Sequence, residues 1–551
     1  MFDKIKKTII EDAVEPLPVL TEDPLADTKP LVSAEAPAGV DRRDFLIRSA
    51  VVGAAALMTG RTVTAAERTA DAARSIPAMP WRLGRDLHVH RRAEGPINIL
   101  SDEFYKVGPG PSSSHTIGPM RITYDFYQRA AKLPKDQLNT ATKLQVNLFG
   151  SLSATGLGHG TERASLAGLI GKEPATVDPL FLDSLKAKPD QTFKVKLGDK
   201  EIPVSLKDII YDSPKGDFHH QNTMTVKLLA GDKVLLEQEY YSVGGGFIEW
   251  KGYTPPKKNA PKYPFQTMAE LRAHADGNKM SIGEVMLANE MSISGKSKDE
   301  VNAFIDKIIN AMNATVKSGL SMPEDDVLPG PIKLHSKART IFKRSMNDQY
   351  AGDRAIGLLA AAAIAASEEN ARGHLVITAP TGGSAGVMPA IVYALTDARK
   401  ISNDKLREGM LAALAVGYLC KHHATLAAAE GGCQAEIGVA SAMAAALIAT
   451  AHSAESRIVE NAAESALEHH LGMTCDPVAG YVQVPCIERC AFGAVKAWTA
   501  YAVASNEIAN RHRVGLDETV QALAQTAKDM NSKYKETSEA GLAQSVALVE
   551  C

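Results

Sequence analysis

The 551-residue sequence is short of cysteine, of net charge and of long apolar runs. Six cysteines in a chain of this length do not make a disulfide scaffold. A net charge of -3 leaves no basic surplus for a phosphate backbone, so nucleic acid is excluded as an evident partner. No apolar run is long enough for a stable membrane span. The run ending near Gly60 is too short, and the stretch Gln434–Ala451 is short and bounded by Glu436 and His452. No repeat period is visible, which sets aside solenoids and propellers. The remainder is 45% hydrophobic and 23% charged, an ordinary soluble composition long enough for several domains with large cores.

The few cysteines are unevenly placed: all but Cys420 fall from Cys433 onward. Cys433 follows two glycines and opens a small-residue helix expected over Gln434 to about Ala451. A helix N-terminus offers free N–H groups and positive dipole, which favour a thiolate. Cys475 and Cys486 are expected in a turn-rich loop punctuated by Pro477, Gly480 and Pro485. Such a loop and a helix start can aim three thiolates at one point, which suggests an iron–sulfur cluster. Each cysteine taken singly also fits plain core packing. Zinc fits too, although its structural sites favour a tighter pair than Cys486 and Cys490. Spacing alone leaves the metal open.

Along the chain, residues 1–96 read as a disordered extension and linker with one exception. Asp41-Arg-Arg-Asp-Phe-Leu-Ile47, an apolar run and Val63-Thr64-Ala65 resemble a twin-arginine export signal with its cleavage site, which predicts a periplasmic protein. Arg48 interrupts that run, and a cytoplasmic location is the alternative. His88, His90 and Arg91-Arg92 read as solvated. From 97 to 258 the pattern predicts an α+β domain. Alternating strands are expected at Lys143–Phe149, Phe193–Leu197 and Met224–Leu229, with helices at Thr116–Leu133 and Glu162–Ile170. After a Pro/Lys-rich linker, 267–551 predicts an all-α domain. Its small-residue helices are expected at Arg354–Ala366, Val387–Thr396, Leu406–Leu419 and Gln434–Ala451.

Several ordered stretches carry a family likeness. They are Gly108-Pro-Gly-Pro-Ser-Ser-Ser-His-Thr-Ile-Gly-Pro-Met120, Gly150-Ser-Leu-Ser-Ala-Thr-Gly-Leu-Gly-His-Gly-Thr161, His220-Gln-Asn-Thr-Met224, Tyr241-Ser-Val-Gly-Gly-Gly-Phe247, Thr378-Ala-Pro-Thr-Gly-Gly-Ser-Ala-Gly386 and Lys533-Tyr-Lys-Glu-Thr-Ser538, with the three cysteine segments. From about Asn98 to the C-terminus the chain resembles the iron–sulfur L-serine dehydratases (L-serine ammonia-lyases) of the single-chain type, β domain first and cluster-binding α domain second. The resemblance implies a [4Fe–4S] cluster on Cys433, Cys475 and Cys486 with one iron open to substrate. It also implies a C-terminal cysteine, Cys551, that caps this iron, and a homodimer engaged in amino-acid catabolism. Three thiolate ligands on a four-iron cluster suit a dehydratase better than an electron carrier, which normally fills all four positions.

Dehydration of serine needs a base for the Cα proton, a partner for the leaving hydroxyl and a pocket for the carboxylate. Histidine is the natural base near neutral pH. The resemblance assigns that role to His115, with His159 and His220 as further candidates and His469 and His470 orienting the cluster loop. Ser113, Ser114, Ser151 and Asn222 are hydrogen-bonding candidates. Thr381, Gly383 and Ser384 belong to a loop before the Val387 helix whose N–H groups are expected to receive an anion. Cys420 and Cys490 read as structural. Three positions depart from the family pattern, which normally has Asn where Gly382, Ser367 and His423 stand, and this bears on substrate choice. The alternatives are the same chemistry on a related hydroxy or thiol amino acid, or a non-catalytic iron–sulfur redox or sensor protein. No lysine motif for pyridoxal phosphate is evident, and Lys333 fits the lyase pattern instead.

Overall fold

The computed structural model describes residues 95–546 apart from 179 and 255. The Arg42-Arg43 export signal, His88, His90, Arg91-Arg92 and Cys551 lie outside the described residues.

The α+β part is built on a five-stranded sheet. Strands β2 (Lys143–Leu148), β5 (Ile209–Tyr211), β6 (Thr223–Ala230), β7 (Lys233–Ser242) and β8 (Ile248–Trp250) run in the order β5-β2-β6-β7-β8. Only β2 and β5 are parallel. Period-two alternation sets the register: Val146 faces Val226 and Met224 faces Tyr240, all four buried. Their core face carries helices α1 (Gly118–Ala130) and α2 (Thr161–Leu169), whose Met120, Ile122, Phe126, Leu166 and Leu169 complete the core. A hairpin, β3 (Phe193–Leu197) and β4 (Lys200–Val204), adds Val195 and Ile202 to it.

The helical part centres on α10 (Val439–Ala451), in which every residue is buried. It packs among α8 (Val387–Tyr393), α9 (Asn403–His423), α11 (Ser456–Glu468) and α12 (Cys486–Asn506). A helix apolar on all sides belongs in such a position, and its alanines let neighbours approach closely. Gly409 of α9 shows how closely: a Cβ there would lie 2.6 Å from a Leu447 methyl and 2.8 Å from its carbonyl oxygen. The segment Gln434–Ala451, long and apolar enough for a membrane by composition, is 94% buried inside the fold.

The structure redraws several expectations. The chain from Ile97 to Tyr105 packs into the helical core, not the sheet: Ile97, Phe104 and Tyr105 are buried there, and the Ser101 hydroxyl donates to Glu290 at 2.7 Å. Strand β1 (Lys106–Pro109) then pairs antiparallel with β9 (Leu375–Thr378). Early sequence and late helices share one core because the apolar side chains of 97–105 have no sheet face to cover. The helix expected from Thr116 begins as a wide π-helical turn, Ser113–Ile117. Gln434–Gly438 is another such turn, and Ala394–Ala398 ends the Val387 helix in a third. Single π turns interrupt helices where side chains must be re-aimed. Cys486 lies not in a loop but at the first position of α12, directly after Pro485, where a proline-preceded start is well tolerated.

Candidate active site

Cys433 sits at the head of the Gln434–Gly438 turn, between Gly432 at φ +71° and the amides of the helix start. Its thiol is within hydrogen-bonding reach of those of Cys475 and Cys486, all three free, and the Arg489 guanidinium lies beside it. These neighbours hold the Cys433 thiol well below its usual pKa, while Cys475 and Cys486 are pushed well above theirs. Ligand atoms of Cys433, Glu436 and Cys475 all fall within 4.8 Å of one another. Three buried thiols converging beside a carboxylate are a donor set that fits an iron–sulfur cluster.

The cysteine loop is held from outside. The Cys475 amide donates to Tyr534 O at 2.8 Å, and the Glu536 amide donates to Cys475 O at 2.8 Å, so the Lys533–Ser538 motif forms a strand-like clasp on the loop. Arg489 donates to Thr474 O (2.6 Å) and to Asp476 Oδ1 (3.1 Å), and Asp476 Oδ2 accepts from the Leu542 amide (2.7 Å). Glu536 is pushed up to about 8 by burial and by Cys433. Glu436 is also pushed well above the usual carboxylate range, by burial, Glu536 and Cys433. Sequence reasoning misses Glu436, Glu536 and Arg489. Glu436 carries a signal, as an acid three residues after Cys433 on the same helical face; Glu536 depends on a contact 61 residues away from Cys475 that no local pattern reveals.

His115 is fully buried in the Ser113–Ile117 turn. Its Nδ1 is 2.9 Å from Ser114 Oγ and its Nε2 3.0 Å from Ser151 Oγ. Hydroxyls serve as donor or acceptor on either side, so both neutral tautomers are accommodated. The Ser112 hydroxyl accepts from the His115 amide, and Thr161 donates to its carbonyl (2.6 Å). The His159 ring lies 4.6 Å from that of His115, centre to centre. Asn222 and Ser242 form a backing chain: Asn222 Nδ2 donates to Ser242 O and the Ser242 hydroxyl donates to Ser114 O. His220 accepts the Asn222 amide on Nδ1 and faces Glu430 at 3.7 Å with Nε2.

The loop Thr381–Gly386 joins the two centres. A Cβ at Gly382 would lie 2.7 Å from the Ser113 amide nitrogen, and one at Gly383 2.7 Å from Glu436 Oε2. His115's turn, this loop and the thiols are therefore successive neighbours. The expected anion cradle is mostly spent internally: the Thr381 and Ser384 amides bond to each other's hydroxyls, and the Ala385 and Val387 amides to loop carbonyls. Beneath it, Cys490 donates to Gly383 O at 3.3 Å, and Ser367 bonds back to Ala363 O. Of the other departures, His423 donates to Gln266 O, in the linker. His470 is buried with Nδ1 on Ala466 O, whereas His469 is exposed.

At Gly382 the volume of any larger side chain is already occupied by the Ser112–Ser113 backbone. Gly382→Ala is expected to displace the His115 turn, lowering turnover at least about tenfold and stability by about 1–3 kcal/mol, the usual range for overpacking. Steady-state kinetics and urea denaturation check it, and unchanged kinetics would mean the turn yields freely.

Burial holds His115 well below its usual pKa and brings His159 and His470 down to about 4. The unfolded chain protonates these imidazoles near pH 6.5, so between about 6.5 and 4 it binds more protons than the native state. The stability they contribute is present above pH 6.5 and is lost as pH falls toward 4, roughly 3 kcal/mol for His470. His374 and His512, raised by Glu369 and Glu464, have the opposite sign. The urea midpoints of wild type and His470→Gln should therefore converge as pH is lowered from 7.5 to 4.5; parallel curves would show His470 charged in the native state.

A cleft of about 390 Å³ opens beside the site, lined by Pro111, His159, Arg163, Arg372 and Gln483 among others.

Comparison with known proteins agrees with this arrangement. Residues 101–253 match the serine dehydratase beta chain family and 277–543 the serine dehydratase alpha chain family. L-serine dehydratase 2 of Escherichia coli (strain K12) is 37% identical over 455 residues, 81% of this chain and 98% of its own. L-serine dehydratase TdcG of the same organism is 39% identical over 81% of this chain, and the Streptomyces coelicolor L-serine dehydratase 38% over 82%. With both chain types matched in order and relatives covered almost end to end, the protein belongs to the serine dehydratase family, alpha and beta chains fused in one polypeptide.

Proposed function

We propose that the protein is an L-serine ammonia-lyase with a [4Fe–4S] cluster held by Cys433, Cys475 and Cys486. The observation that carries this reading is the convergence of those buried thiols one loop away from the buried His115. When bound, the cluster supplies a Lewis acid for the leaving β-hydroxyl. His115, kept neutral by burial, takes the Cα proton; Ser114 and Ser151 hold its ring in place. Loss of that proton and of hydroxide leaves 2-aminoacrylate and water. Its imine tautomer adds water and releases ammonia, giving pyruvate. Arg489 and the Lys533–Ser538 clasp keep the cysteine loop in register.

The test is anaerobic turnover of L-serine by the reconstituted protein, with pyruvate and iron measured together. Pyruvate with about four irons per chain supports the reading, four being the size of the cluster type. A full cluster without pyruvate would overturn the reaction and leave the cluster.

The cap role of Cys551 belongs to the same proposal. Leu542 is tied to Asp476 of the cysteine loop, and the five residues after Val546 reach at most about 17 Å. Cys551→Ala is expected to keep its turnover but lose iron faster in air than wild type; equal loss would remove the role.

A further inference from the structure

Two buried acceptors in the cleft have no hydrogen-bond partner among the described residues. Gln483 is 2% exposed; its Nε2 donates to Pro329 O at 2.6 Å, which leaves Oε1 as an unused acceptor. His159 is 1% exposed; its Nδ1 donates to Thr155 O at 3.0 Å, so Nε2 carries the free lone pair. A pKa brought down to about 4 keeps that nitrogen unprotonated at neutral pH. Both arginines of the lining are already engaged. Arg372 bonds to Asp326 and Glu369, and Arg163 to Glu162. Buried acceptors left unpaired are costly, on the order of 1–3 kcal/mol each, so two in one cleft point to a ligand that brings donors.

We propose that Gln483 Oε1 and His159 Nε2 receive the α-ammonium group of the amino-acid substrate, and that the cleft they line is its binding route. This rests on the reaction assigned above. An ammonium group is the substrate's multiple donor and matches a cleft that holds two unused acceptors, whereas their lone pairs repel a carboxylate. Position agrees with chemistry. The ammonium nitrogen is one bond from the Cα that must lose its proton, and the His159 ring packs against that of His115. Gln483 lies three residues before Cys486, and its carbonyl accepts the Ile487 amide at the start of α12. One acceptor therefore belongs to the base side of the cleft and the other to the thiol side. Both are positioning residues that fix which face of Cα meets His115.

L-alanine and propionate differ only in the amine, and their binding to the anaerobic, reconstituted full chain is read by calorimetric titration. Wild type is expected to bind L-alanine at least about tenfold more tightly, as a hydrogen bond to a charged group implies. In Gln483→Met that advantage should fall to about twofold, with propionate affinity and iron content unchanged and the KM for L-serine raised about 10- to 100-fold. Equal weakening of both ligands would reduce Gln483 to a scaffold residue and overturn the proposal. So would an unchanged advantage in the variant, which would leave the acceptors to water. Should Gln483→Met not fold, wild type alone decides: propionate bound as tightly as L-alanine excludes an ammonium site. Wild type that binds L-alanine through its amine but forms no pyruvate from L-serine would sink the reaction and leave the cleft standing.

Discussion

Replacing Cys433 by serine is expected to remove most of the bound iron and to lower L-serine turnover by at least about a thousandfold. The number follows from the position of this thiol. Cys433 is the one hydrogen-bonded to both Cys475 and Cys486, and the one whose pKa those neighbours and Arg489 hold down. A serine hydroxyl in its place is a poorer ligand for iron and does not ionise at neutral pH, so two thiols remain where three converged. Losing a group on which the chemistry depends removes several kcal/mol of transition-state stabilisation, and about 4 kcal/mol is a factor of a thousand. Cys420→Ser is the matched control. Cys420 is fully buried in α9, and burial alone raises its pKa. Its serine variant should keep its iron and lose only about 1–3 kcal/mol of stability, the cost of a buried hydroxyl. Iron and absorbance measured on both variants decide the matter. Equal iron in the two would show that Cys433, like Cys420, is packing and not a ligand.

The contrast between those two cysteines also marks the boundary between what local sequence specifies and what only the fold decides. Cys433, Cys475 and Cys486 stand out because glycine and proline mark the backbone around them, although Cys486, expected in a loop, opens α12. The α+β and all-α halves are legible because period-two and small-residue helical patterns are local. Long-range packing is not. The entry of 97–105 into the helical core depends on Glu290 and on pairing with β9, 266 residues beyond the last residue of β1. The wide turns at Ser113 and Gln434 change helix pitch without a composition signal. The Thr381–Gly386 loop reads as an anion cradle because its glycines suggest free amides. In the fold, the Ser384 and Thr381 hydroxyls claim the amides of Thr381 and Ser384, as short hydroxyl side chains commonly do beside a turn. Gly382 reads as a lost amide side chain, whereas the structure gives that space to the turn carrying His115.

His115→Asn is expected to lower kcat by about 10²–10⁴ while leaving iron content and the KM for L-serine close to wild type. The asparagine keeps a polar group between Ser114 and Ser151 and cannot accept the Cα proton into a ring nitrogen of suitable basicity. Because that proton moves only in the transition state, its loss belongs to kcat and not to substrate binding. His159 supplies the internal comparison. It packs against His115 but is buried with Nδ1 committed to Thr155, and its variant should raise KM, the signature of lost positioning. The pH profile separates the two further. Burial pushes His115 well below 6.5, so the acid limb of kcat/KM should lie below that value in wild type and disappear in His115→Asn. L-serine deuterated at Cα should show a primary isotope effect in wild type, since removal of that proton is the step assigned to the imidazole. A variant whose kcat stays within threefold of wild type would place the base elsewhere, with the His220 and Glu430 pair next to be tested.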